Sequence, residues 1–182
     1  MTIAELLLME FEAEAAKTRS YFAAMPEDKV GWRPHALSPS LGSLAKHIAG
    51  LPRFGVVFLT TDSMDASAGP PALPEYGGRA DLMQTFEQNC GLLRDALTKA
   101  SDEYLSAPWA FTAADAVLEK APRAAMYQEM CVAHMIHHRA QMGVYLRMLG
   151  VALPGLYGPS ADGPWHPAYP GSGSEPIGGE KR

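Results

Sequence analysis

The sequence predicts an all-α fold, a four-helix bundle with long connecting loops and a Pro/Gly-rich C-terminal tail. Two observations carry that prediction. Four stretches repeat apolar residues at helical spacing, and no convincing run of strand-like alternation separates them. Proline, glycine and serine gather between those stretches, where helices are expected to stop. At 182 residues the chain reads as one domain with a full hydrophobic core, over residues 1–163, followed by a flexible tail over 164–182.

The first helix is expected over Ile3 to Met25, with Leu6, Leu7, Met9, Phe11, Ala15, Tyr21 and Phe22 forming a stripe and Pro26 ending it. Its acidic residues Glu5, Glu10, Glu12 and Glu14 read as a solvated face. The segment from Asp28 to Pro39, containing Trp32-Arg33-Pro34, is a connection. Ser40 is placed to cap a second helix running to about Leu59, with a local irregularity expected at Pro52 and Gly55. Residues 61–79 read as a loop. Asp81 then opens a third helix, in which Leu82, Phe86, Cys90, Leu93 and Leu97 recur at helical spacing. Residues 101–122 lack a sustained period. Trp109, Phe111, Val117 and Leu118 are expected either to pack over the bundle or to form a short strand pair. The fourth helix runs from about Arg123 to Leu149, and Gly150 sits where a helix stop belongs.

Composition excludes several classes. A net charge of −5 and the absence of a Lys/Arg-rich run argue against a nucleic-acid partner or an anionic membrane surface. No apolar stretch approaches a membrane span, and the polar, acidic start of the chain does not resemble a signal peptide. The two cysteines, Cys90 and Cys131, both fall in expected helices, which points to a reducing, cytoplasmic setting rather than a disulfide framework.

The chemistry concentrates in His134-Met-Ile-His137-His138-Arg139-Ala140-Gln141. Residues four apart on a helix project from the same face, so His134 and His138 can chelate one divalent ion while His137 points away. Such a pair also arises without any metal, as hydrogen-bonded surface or core histidines. The apolar neighbours weigh toward ligation, because burying an unpartnered imidazole costs a few kcal/mol. His47, on the second helix among Leu44, Ile48 and Leu51, supplies a third imidazole. Three protein ligands leave a coordination position open for water or substrate. Cys131, one turn before His134, is a candidate fourth ligand, although a helical cysteine among apolar neighbours is usually core. Arg139 and Gln141 read as structural or substrate-anchoring, and Trp32 and Tyr157 as pocket-mouth residues or loop anchors. His35 and His166 carry no ligand spacing. There is no His-Glu-x-x-His, Glu-x-x-His, Walker A, dinucleotide fingerprint or Gly-x-Ser-x-Gly.

Together Trp32-Arg33-Pro34, Ser43-Leu44-Ala45-Lys46-His47-Ile48, the His134–Gln141 passage and Tyr157-Gly158-Pro159-Ser160-Ala161-Asp162 resemble the DinB/YfiT-like superfamily of four-helix-bundle metalloproteins. Ala140 departs from the glycine common in that family's His-His-Arg-Gly-Gln. The resemblance implies a divalent metal at His47, His134 and His138, zinc or nickel first, with iron or manganese as further options. It also implies homodimers and, among characterised members, thiol S-transfer and thiol-dependent isomerisation. The expected function is metal-assisted activation of a low-molecular-weight thiol toward a small electrophile. The alternatives are metal-hydroxide hydrolysis of a small amide or ester, and a non-catalytic stress-related metal-binding protein.

Overall fold

The computed structural model describes residues 1–67, 69 and 76–163. The expected tail over 164–182, with Trp165 and His166, lies outside the described residues.

Helix α1, Ile3–Ala24, starts at a reciprocal cap. Thr2 accepts the Glu5 backbone N–H at 3.1 Å, and the Glu5 carboxylate accepts the Thr2 N–H at 2.8 Å. Leu7, Phe11, Ala15 and Phe22 face the core. The expected solvated acidic face does not hold throughout, because Glu14 is buried and paired with cations. Helix α2, Leu41–Thr60, is capped by Ser40 as its sequence suggested and runs on past Pro52. Helix α3, Arg79–Lys99, begins two residues before Asp81 and buries Leu82, Phe86, Cys90, Leu93 and Leu97. Phe22 of α1 meets Phe86 of α3 edge-to-face, with ring centroids 5.3 Å apart.

The expected all-α class is overturned by a three-stranded mixed sheet, so the fold is α+β. Strand β1 is Ser63–Asp65, β2 Pro108–Ala113 and β3 Ala116–Pro122. The central β2 runs parallel to β1 and antiparallel to β3, with a bulge between Phe111 and Thr112. A five-residue helix α4, Asp102–Ser106, leads into β2. Of the two outcomes expected for residues 101–122, the strand pair forms, and Trp109 also packs inward.

The sheet escapes pattern reading for a physical reason. Only Trp109 on β2 is fully buried, and β3 is exposed along nearly its whole length, Val117 and Leu118 included. No two-residue hydrophobic period therefore develops. The sheet is held by contacts distant in sequence. Trp109 Nε1 donates to Thr61 Oγ1 at 3.3 Å, its ring packs on Phe58, and the Ala114 N–H donates to Ser67 Oγ at 2.7 Å.

The expected fourth helix is present over most of its length but is not uniform. A short α5, Arg123–Tyr127, passes into a wide π turn, Gln128–Ala133, and then into α6, His134–Met148, with helical backbone at both joints. Tyr127, Cys131, Met135 and Arg139 are all buried at a constant step of four. On an ideal α-helix that step drifts by about 40° each time, and the wide turn absorbs the drift. The helix ends as expected at Gly150, whose φ of 75° suits glycine. The Val151 N–H reaches the Leu146 carbonyl and the Gly150 N–H reaches that of Arg147, both at 3.0 Å, closing a Schellman turn.

Buried Arg123 ties α5 to the end of α2, donating to the carbonyls of Phe58 and Thr61 and to the Asp62 carboxylate. Among the described residues no helix is long and apolar enough to cross a membrane, and Cys90 and Cys131 are both buried free thiols.

Candidate metal centre

Two helices bring the three histidines together. His47 lies in the second turn of α2, and His134 and His138 open α6. The approach of the helices depends on Gly55, where an added Cβ would sit 2.7 Å from Cys131 Sγ. That thiol donates to the Leu51 carbonyl at 3.4 Å, fastening the π turn against α2 one helical turn after His47. Cys131 is fully buried, and burial pushes its pKa far up. It serves as a core residue, and the cluster of candidate ligands does not include it.

His47, His134 and His138 form one half-buried group whose ligand atoms all lie within 4.8 Å of one another. His134 Nε2 is the pivot, 3.2 Å from His47 Nε2 and 2.9 Å from His138 Nε2. Nitrogens sharing one zinc-like ion at about 2.0–2.1 Å are separated by about 2.8–3.4 Å when the angle at the ion lies between a right angle and the tetrahedral value. Both measured separations fall in that range, so the donor set fits a single divalent ion. Among the described residues no carboxylate joins the group.

The electrostatics agree. Burial, then the neighbouring His138 and His134, depresses the His47 pKa to about 4. Burial is also the first cause lowering His134 and His138. For His138 the bond to Gln141 opposes the shift, while nearby His137 adds to it. Near neutral pH all three rings are therefore uncharged, the form in which imidazole binds a metal.

Neighbouring residues take different parts. His137 is exposed and its Nε2 meets the side-chain amide of Gln141 rather than the histidine cluster. Arg139 turns to the opposite face, where it pairs with Glu14 and contacts Thr18 and the Tyr157 hydroxyl. Tyr157 thus anchors the segment after α6, its hydroxyl donating to Glu14. Trp32 lies edge-to-face on Tyr145 with ring centroids 5.5 Å apart, holding the preceding loop against α6. His35 makes only a local turn, accepting the Leu37 N–H at 3.2 Å.

Sequence reasoning did not isolate two contributors. One is the wide turn before His134, hinted at only by the sustained step of four. The other is the bond between Gln141 Oε1 and His138 Nδ1, at 2.8 Å.

The fold is shared with solved structures. A DinB-like protein from Bacillus subtilis is 21% identical with a TM-score of 0.64, the match covering 83% of this chain and 96% of that one. A DinB-like protein from Bacillus cereus is 19% identical with a TM-score of 0.63, covering 81% and 93%. A comparison with curated proteins returned no match. The DinB family model matches residues 1–165, spanning both helices that carry the histidines, and the chain belongs to the DinB family.

Proposed function

We propose that His47, His134 and His138 hold a divalent metal, zinc or nickel, and that the protein activates a low-molecular-weight thiol for S-transfer to a small electrophile. The observation that carries this reading is the convergence of three neutral Nε2 atoms at ligand-to-ligand distances on a half-exposed face. When bound, the ion supplies uncompensated positive charge that favours a thiolate over its thiol at an open coordination position.

The chain contributes orientation and partial desolvation. Burial keeps the three imidazoles unprotonated. Half-buried Phe54 lies seven residues after His47 on α2, half-buried Met130 lies four before His134, and both pack against the hydrophobic core. The three rings stay partly exposed, and a small reactant would reach them from that side.

Thiol activation is favoured over hydrolysis by the intrinsic acidity of the two nucleophiles. Free water has a pKa of about 15.7 against about 8.5 for a thiol, so the ion has far less to do to hold a thiolate near neutral pH than to hold a hydroxide.

Untagged protein purified without added metal should contain about one ion per chain by elemental analysis. In cobalt-substituted protein a candidate thiol should generate a sulfur-to-metal charge-transfer band that is absent from His134→Ala. A screen of thiols with a chromogenic electrophile then reads turnover. A cobalt spectrum that no thiol perturbs overturns the transferase reading. Silence in both transfer and hydrolysis assays leaves metal binding without turnover.

A further inference from the structure

Gln141 lies on an exposed part of α6, yet both ends of its amide are engaged. Its Oε1 is 2.8 Å from His138 Nδ1, and its Nε2 is 3.1 Å from His137 Nε2. A carbonyl oxygen only accepts, so the His138 proton resides on Nδ1 and Nε2 is left with a bare lone pair. The amide N–H donates to His137 Nε2, and that contact selects which end of the amide faces His138.

The bare Nε2 of His138 lies 2.9 Å from His134 Nε2, which in turn lies 3.2 Å from His47 Nε2. The His138 lone pair is thus directed into the space that the three rings share, where a cation stabilises it.

We propose that Gln141 is a positioning residue for the metal centre: by accepting the Nδ1 proton of His138 it presents Nε2 to the ion, and His137 acts through Gln141 by setting the direction of its amide. This rests on the metal reading of the three histidines and adds residues outside the ligand set. It also accounts for His137, which does not belong to the histidine cluster and yet neighbours it.

The test uses zinc alone as the probe, with affinity measured by competition against a chromophoric chelator. Gln141→Met keeps the length and removes the acceptor. It should bind zinc about ten- to a hundred-fold more weakly than the parent while melting at a similar temperature. Gln141→Glu still accepts from Nδ1 but cannot donate to His137, and it should retain tight binding. In zinc-loaded protein the His138 Nδ1–H proton should be visible by NMR and slow to exchange in the parent and Gln141→Glu, and lost to exchange in Gln141→Met. Parental zinc affinity or a persistent Nδ1–H signal in Gln141→Met overturns the role of Gln141 and leaves the metal site standing. A parent protein that binds no zinc, nickel or cobalt overturns the metal reading and this inference with it.

Discussion

Arg139 of α6 and Glu14 of α1 form an ion pair in which neither side chain retains appreciable contact with water, at 1% and 5% side-chain exposure. Arg139 also donates to the Glu14 backbone carbonyl at 2.8 Å and to Thr18 Oγ1 at 3.1 Å. Lys17 and Tyr157 supply further hydrogen bonds to the Glu14 carboxylate. Burial alone would raise the Glu14 pKa, but the bonds from Lys17, Tyr157 and Arg139 outweigh it and the net shift is downward. Arg139 follows His138 directly, so the network that fixes its direction also fixes the rotation of α6 that turns His134 and His138 toward α2.

Arg139→Leu should therefore destabilise the protein by about 3–5 kcal/mol, because it leaves a buried carboxylate with fewer partners. The double variant Glu14→Gln, Arg139→Leu should recover part of that loss. Chemical denaturation of Glu14→Gln, Arg139→Leu and the double variant checks this, and strictly additive effects would show that the two side chains are energetically independent.

The histidines divide their work in a way a metal titration can read. His138→Ala should abolish stoichiometric binding. His137→Ala should retain it with about ten- to a hundred-fold weaker affinity, because only an outer partner is lost. The reverse ranking would assign the site to the wrong imidazole.

The depressed pKa of His47 has a definite consequence for metal-free protein. Between its ordinary value of 6.5 and its folded value of about 4, the unfolded chain takes up a proton that the folded chain does not. This contribution to stability is complete above pH 6.5 and is lost as the pH falls through that window toward 4. In the presence of a chelator, the melting temperature of the parent should drop more between pH 7 and 5 than that of His47→Gln. Parallel pH profiles would remove the inference that His47 is held neutral by burial.

We propose that the protein is a homodimer. Val144 and Met148, each 60% exposed, lie one turn apart on the outer face of α6, with exposed Ala133 and Ala140 on the same side. Trp109 and Phe111 do not cover this face, since Trp109 packs on Phe58 of α2 and on Phe111. Light scattering at micromolar concentration should give twice the mass of one 182-residue chain, and Val144→Glu should lower it toward the single-chain value. Parent protein with single-chain mass would exclude the dimer.

Local periodicity by itself determined much of this protein. The buried residues of α3, the Ser40 cap, the Gly150 stop and the shared face of His134 and His138 all follow from spacing within a few helical turns, where backbone geometry dictates which side chains are neighbours. Only the tertiary structure decided the rest. The sheet depends on β1 meeting β2 across more than forty intervening residues, and its exposed β3 carries no alternating pattern to announce it. Glu14 looks like one more surface acid until Arg139 and Tyr157 arrive from the far end of the chain. The contact of His47 with His134 spans 87 residues and depends on how closely α2 can approach the π turn at Gly55. Spacing along one helix can name the side chains that share its face, but which face another helix meets is set by packing, and here that packing completes the three-histidine centre.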